Sequence, residues 1–204
     1  MDVVITGSTR GLGKALMAEL QARGHNVRGC SRASLDVRDF AALQAFAKDP
    51  CDLLVANAAM ALPSTRLWEL DPAHFGALID TNVKGVFHSL RAFLPAMVER
   101  KSGVVAVMSS DWGRSASALV AAYCASKWAL EGMVRALSRE LPMGVAAVLV
   151  DPGNVNTDML KLALGEELAA RYPGPAEWAS LAAPWFEGLG PEHNGRTLRM
   201  VDRS

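Results

Sequence analysis

Tyrosine is nearly absent from this chain. Two occur in 204 residues, Tyr123 and Tyr172, and the first stands four places before a lysine. Cysteine is scarce as well: Cys30, Cys51 and Cys124 form an odd, widely spaced set with no CxxC. That argues against a disulfide framework and for a reducing, cytoplasmic setting. An excess of either charge is missing, with 21 Lys plus Arg against 21 Asp plus Glu. Nothing net basic is available to hold a polyphosphate backbone, so nucleic acid is not an expected partner. No apolar run approaches the roughly 20 residues that cross a bilayer, so no membrane is expected either. Met1-Asp2 leads straight into "VVITG", without the basic head and longer apolar stretch of a signal peptide. The four histidines, His25, His74, His88 and His193, lack ligand spacing, so no metal site is expected.

What is present is alternation. Half the residues are apolar, enough for one domain over 1–204 with a core of its own. "DVVITG" (2–7) is β-branched and ends in glycine, as a buried strand does. "RGLGKALMAELQARGH" then spaces Leu12, Leu16 and Leu20 four apart on one helix face. "NVRGCS" reads as a strand, "DFAALQAFAKD" as a helix and "CDLLVANAA" as a strand. A long helix is expected over roughly 74–100, a strand over 103–110, a second long helix over roughly 120–140 and a strand over 145–153. "NGRTLRMVD" closes the chain as a last strand. Strands alternating with helices predict an α/β fold of Rossmann type: three layers around a mostly parallel sheet. In such sheets ligands gather at the carboxyl ends of the strands, which marks Gly7, Ser31, Asn57, Ser110 and Pro152.

One crossover is too short. Only Arg32 to Leu35 separate Ser31 from Asp36, whereas a parallel connection needs about a dozen residues. A third strand at this point is therefore expected to be missing, leaving a sheet of about six strands that is more open at this edge, with the chain passing almost directly into helix 39–48.

"TGSTRGLG" (6–13) lies between the first strand and the first helix. Gly7 permits a tight turn, and Gly11 and Gly13 remove side chains where a pyrophosphate and the helix must approach. Unpaired N–H groups and the positive end of the helix suit phosphate. This turn, "ANAA" (56–59), Asn82 in "TNVKG", Ser110 in "MSS", "YCASK" (123–127) and "PGNVNTDM" (152–159) occur in the order of the short-chain dehydrogenase/reductase family, and the chain resembles its short carbonyl-reductase-like members.

That resemblance implies a nicotinamide cofactor and reversible hydride transfer between it and a carbonyl or alcohol. Asn82, Ser110, Tyr123 and Lys127 are the implied catalytic set. A phenol with an ordinary pKa of about 10 switches poorly near neutrality. Residues i and i+4 share a helix face, so an ammonium at Lys127 is expected to favour the Tyr123 phenolate. Tyr123 then gives a proton to a developing alkoxide or takes one from an alcohol. Lys127 also holds the nicotinamide ribose. Ser110, rather than its neighbour Ser109, offers its hydroxyl to the substrate oxygen. Asn82 carries a water that relays protons to the lysine.

The implied cofactor set is Gly7, Ser8, Thr9, Arg10, Gly11, Leu12 and Gly13 in the turn, Ser31, Arg32, Asp36 and Val37 at the adenosine side, Asn57 and Ala58 after the third apolar run, Tyr123 and Lys127, and Pro152, Gly153, Val155 and Thr157. Asp36-Val37 resembles the pair that lines the adenine; Val155 and Thr157 should meet the carboxamide. Asn57 should brace the sheet. Ala56 and Ala59 depart mildly from the family's usual NNAG. No acidic residue follows the second strand to repel a 2′-phosphate, and Arg32 and Arg10 suit one, so NADP(H) is preferred over NAD(H).

The residues from 160 to 190 are expected to form a substrate lid, with Met159, Leu160, Leu162, Leu164 and Trp112 as an apolar wall for a small or medium substrate. Two other functions compete: a nucleotide-sensing binding protein without turnover, and a nucleotide-sugar epimerase or dehydratase, for which the chain looks too short. Relatives often pair through the two long helices, where Trp128 and Met133 face either a homodimer or homotetramer partner or the core.

Overall fold

The computed structural model describes residues 1–200. Its strands are β1 (Asp2–Thr6), β2 (Asn26–Cys30), β3 (Leu53–Ala56), β4 (Gly103–Met108), β5 (Val145–Asp151) and β6 (Thr197–Arg199). They form one parallel sheet in the order β2-β1-β3-β4-β5-β6. Strand alternation divides the core in two. Val3, Ile5, Leu53, Val55, Val104 and Val148 go to one face. There they meet Leu16 and Leu20 of α1 (Gly11–Ala22) and Trp178, Ala182 and Phe186 of α8 (Pro175–Glu187). Val4, Leu54, Val105, Val107 and Leu149 go to the other face. They pack on Leu90, Phe93 and Met97 of α4 (Gly85–Arg100) and on Leu130 and Val134 of α5 (Ala121–Leu137). Both faces are covered, which is why these strands read as continuous apolar runs rather than alternating ones.

The short crossover has the expected outcome. After β2 the backbone folds on itself, with Ser34 and Leu35 N–H both donating to the Ser31 carbonyl. Asp39 then caps α2 (Phe40–Phe46) by accepting from Ala42 N–H at 3.0 Å. No strand intervenes, and β2 is the sheet edge. The helix expected over 74–100 is real but not uniform. It runs as α3 (Pro72–Ile79), a wider π turn over Asp80–Lys84, and α4.

The predicted lid over 160–190 needs correction. Only its first part, α6 (Asp158–Leu164), α7 (Glu166–Ala169) and the residues to Tyr172, borders the cavity described below. α8 is a core helix. Its small residues Ala179, Ala182 and Ala183 let it lie close to the sheet, and Phe186 is 1% exposed. Truncating such a buried ring to Ala costs about 3–5 kcal/mol. Leu162 is 43% exposed and is not part of the wall. The closing strand occupies Thr197–Arg199, and the expected Val201 and Asp202 lie outside the described residues.

Candidate active site

The glycine turn is bound on both sides. Gly7 and Ser8 N–H donate to the Cys30 carbonyl at the end of β2, at 2.8 and 3.2 Å. On the other side Asn57 Nδ2 donates to the Thr6 and Gly7 carbonyls at 2.9 and 3.2 Å, while the Thr6 hydroxyl accepts from the Asn57 and Ala58 amides. Asn57 thus ties the end of β3 to the glycine turn. Gly7 has φ +71, and a Cβ there would lie 2.8 Å from Ala58 Cα. Thr9 and Arg10 are exposed. Arg10 offers no side-chain cap to α1, so the helix start keeps its positive end open. Thr157 approaches from the far side, its methyl 3.8 Å from where a Gly11 Cβ would be. Its hydroxyl caps α6 by accepting from Leu160 N–H at 3.2 Å.

Tyr123 sits at the start of α5, Ser110 two residues past β4, and both line one cavity of about 430 Å³. Both serines border the cavity, but their hydroxyls are engaged differently: Ser109 donates to buried Glu131 Oε1 at 2.7 Å, while Ser110 Oγ accepts from Trp112 N–H, at 3.3 Å. Leu67, Leu70, Trp112 and Leu119 form one wall, and Met159, Leu160, Leu164, Leu168 and Tyr172 the other. Leu12, Pro152, Gly153, Val155 and Thr157 join the cavity to the glycine turn. Trp112 meets the Tyr123 ring edge-on, centroids 5.9 Å apart.

Lys127 is buried, donates to the Met108 carbonyl at 2.7 Å and lies over the Tyr123 ring, 5.5 Å from its centroid. The expected lowering of the phenol's pKa is not what this arrangement gives. Burial pushes the Tyr123 phenol up, and the charge of Asp151 acts in the same direction. Burial also pulls the Lys127 ammonium down to about 8. Desolvation opposes both charged forms and outweighs the pairing that the i, i+4 spacing suggested.

Asn82 occupies the π turn and is fully buried. Its Oδ1 accepts from Met60 N–H at 2.8 Å, and its Nδ2 donates to the Met60 carbonyl at 2.9 Å and to Ser126 Oγ at 3.1 Å. Its carboxamide therefore ties the segment after β3 to α5, one residue from Lys127. A wider turn with a polar residue inside is a frequent mark of a functional site.

At the adenosine end the Ser31 hydroxyl is buried against Ser34 Oγ at 3.2 Å. Val37 packs with Cys30 and Leu43. Asp36 is held by Arg38, whose Nε and Nη2 reach it at 2.6 to 3.0 Å, and its carboxyl is pulled below the usual range. Arg32 is 81% exposed and 3.9 Å from Asp36.

Four residues escaped the sequence reading: Arg114, Glu131, Asp151 and Tyr172. Arg114 bonds to both Glu131 and Asp151, which are 4% and 2% exposed. The signal available for the carboxylates was their position: Glu131 one helical turn past Lys127, and Asp151 at a strand's carboxyl end. Trp128 proves exposed, with its Nε1 donating to the Ser115 carbonyl, whereas Met133 packs on the core.

Residues 33–167 match the family described as short chain dehydrogenase. The chain is 39% identical over 222 aligned residues to the NADPH-dependent pterin aldehyde reductase of Arabidopsis thaliana, covering 96% of this chain and 91% of that one. It is 32% identical to the acetoacetyl-CoA reductase of Synechocystis, covering 81% and 76%. A solved short chain dehydrogenase structure from Pseudomonas syringae superposes with a TM-score of 0.86 at 26% identity, covering 97% of this chain and 93% of that one.

Proposed function

The chain belongs to the short-chain dehydrogenase family, and on that premise we propose that it is an NADP(H)-dependent carbonyl reductase for a small or medium apolar aldehyde or ketone. Its similarity to the pterin aldehyde reductase makes a heteroaromatic aldehyde the first substrate to try. One observation carries the reading: Ser110 and Tyr123 line the same largely apolar cavity, which continues to the glycine turn.

The residues fit a dinucleotide. Gly7 and Gly11 hold φ values of +71 and +54, and a Gly11 Cβ position meets nothing nearer than the Thr157 methyl, which leaves a cradle for a pyrophosphate. Val155 and Thr157 line the cavity beside Pro152 and Gly153, where a nicotinamide carboxamide would lie. Arg10 and Arg32 are exposed at the end where a 2′-phosphate would lie, and Arg38 pairs with Asp36, the carboxylate 3.9 Å from Arg32. Lys127 and Tyr123 would hold the nicotinamide ribose. When bound, NADPH supplies the hydride to the carbonyl carbon.

The chain's own part is proton and charge management. The Ser110 hydroxyl donates to the carbonyl oxygen and steadies the charge that develops there. Tyr123 gives that oxygen its proton. The raised phenol pKa keeps it protonated and ready to donate. Lys127, buried 5.5 Å from the ring centroid, is a cation close to the phenolate left behind. Asn82 keeps α5 in register and carries the proton relay. The apolar walls exclude water from the reacting carbon. Exposed Trp128 is the contact we assign to a homodimer or homotetramer, and the three buried free cysteines suit a cytoplasmic protein.

The test is loss of NADPH absorbance with a panel of aldehydes, ketones and diones that includes a pterin aldehyde. Tyr123→Phe should lower kcat by about 10²- to 10⁴-fold while NADPH still binds. Turnover that survives this change would remove the tyrosine from the chemistry. Tight NADPH binding with no turnover by the intact protein would favour a sensor.

A further inference from the structure

One guanidinium spans three limbs of the site. Arg114 follows the short turn Asp111–Gly113 that leaves Ser110. Its Nη1 donates to Glu131 Oε1 at 3.1 Å and its Nη2 to Asp151 Oδ2 at 2.7 Å. Glu131 lies on α5, one helical turn beyond Lys127 and two beyond Tyr123. Its Oε1 also accepts from Ser109 Oγ, and its Oε2 from Arg135 Nη2 at 3.0 Å and Thr197 Oγ1 at 2.9 Å. Asp151 ends β5, and its Oδ1 accepts from Gly153 N–H at 3.1 Å in the turn after Pro152. The turn carrying Arg114 is seated tightly. A Cβ on Gly113 would lie 2.8 Å from Ser109 Oγ and 3.1 Å from Glu131 Cγ.

Two buried carboxylates side by side repel each other unless a cation lies between them. Arginine suits the place because its planar fork reaches both with separate nitrogens, which an ammonium cannot do. We propose that Arg114 is a positioning residue of this site, which locks Ser110, the Tyr123–Lys127 helix and the Pro152–Gly153 turn together and neutralises the Asp151 carboxylate that opens on the cavity with Tyr123. The inference rests on the reductase reading given above. The titratable and charged groups around the phenol are Lys127 and Cys124 on α5, Asp111 and Arg114 after β4, Asp151 on β5, Arg199 on β6 and Tyr172 beyond α7. Asp151 bears on the phenol directly, and its charge opposes the phenolate. Arg114 is therefore placed to set how readily Tyr123 exchanges its proton.

The experiment compares wild type, Arg114→Met, Asp151→Asn and the double variant in NADPH oxidation with a heteroaromatic aldehyde across pH, with Tyr123→Phe alongside. Arg114→Met should lose kcat by about tenfold or more, with its kcat profile moved to higher pH by about one unit. Adding Asp151→Asn should return the profile toward the wild-type position. A loss of kcat with an unmoved profile, or no return in the double variant, would reduce Arg114 to a structural residue and overturn the proposal. Active wild type silenced by Tyr123→Phe keeps the reductase reading in either case. An inactive wild type ends that reading, and the bridge is then judged by urea midpoints of the four proteins: non-additive losses support it, and additive ones overturn it. Should Arg114→Met fail to fold, Arg114→Lys and Asp151→Asn decide. The lysine should keep the wild-type profile at reduced kcat, and Asp151→Asn should move it to lower pH; a profile unmoved by Asp151→Asn overturns the proposal.

Discussion

The Tyr123 hydroxyl points at the Met159 sulfur, 3.8 Å away. A thioether is a weak acceptor, so this contact yields readily to a better oxygen. Met159 stands in the first turn of α6, inside the cavity wall, and its length sets how much room lies over the phenol. Met159→Ala should therefore shift selectivity toward bulkier aldehydes, by about tenfold in the ratio of kcat/KM for a branched to an unbranched substrate. Steady-state kinetics on such a pair checks this; an unchanged ratio would remove Met159 from the substrate wall.

Arg32 governs the choice of dinucleotide under the proposed reading, because it is the exposed cation next to β2 whose carboxylate neighbour, Asp36, already belongs to Arg38. Arg32→Ala should weaken NADPH binding by about tenfold and NADH far less, as read by fluorescence titration. Equal weakening of both would put the preference elsewhere.

Lys127 predicts a pH dependence of stability. Its pKa falls from an ordinary 10.5 to about 8 through burial. Between those values the unfolded chain binds more protons than the folded one, so stability rises with pH across that window. Lys127→Met lacks this component. The stability of wild type relative to Lys127→Met should climb by about 2 kcal/mol from pH 7 to pH 10. Cys30 and Cys51, whose thiols burial pushes up to about 11 and about 12, act oppositely at high pH but equally in both proteins. Urea unfolding at several pH values measures the difference; a flat one would mean that the ammonium is not desolvated.

Gly13 tests the glycine turn apart from any chemistry. A Cβ there would lie 2.4 Å from the Gly7 carbonyl oxygen and 2.5 Å from Asn57 Nδ2. Gly13→Ala should cost about 1–3 kcal/mol in stability and weaken dinucleotide binding more than tenfold. Chemical denaturation and fluorescence titration read the two effects separately.

The sheet was legible because each central strand is a short, continuous apolar run, and the missing crossover because four residues cannot span it. The glycine turn, Ser110 and the Tyr123–Lys127 pair were legible because they are local in sequence. α8 was misread as lid. Its Trp178, Ala182 and Phe186 repeat at helical spacing, but the same pattern serves a cavity wall or a core, and only packing against α1 decides between them. The Arg114 bridge was hidden for another reason. Its partners lie 17 and 37 residues away, on different elements, and no periodicity connects them. The direction of the Tyr123 shift was hidden too, because desolvation depends on what closes over the ring rather than on what stands four places along the helix.

The omitted crossover also bears on how firmly one dinucleotide is told from the other. Where a strand and helix would have walled in the adenosine, this protein has a tight bend and guanidinium groups in open solvent. Recognition by exposed charge is screened over about 10 Å at 0.1 M salt. Under the proposed reading, the preference for the phosphorylated cofactor then belongs to dilute buffer and fades toward indifference in brine, while the grip of the glycine turn on the shared pyrophosphate changes far less.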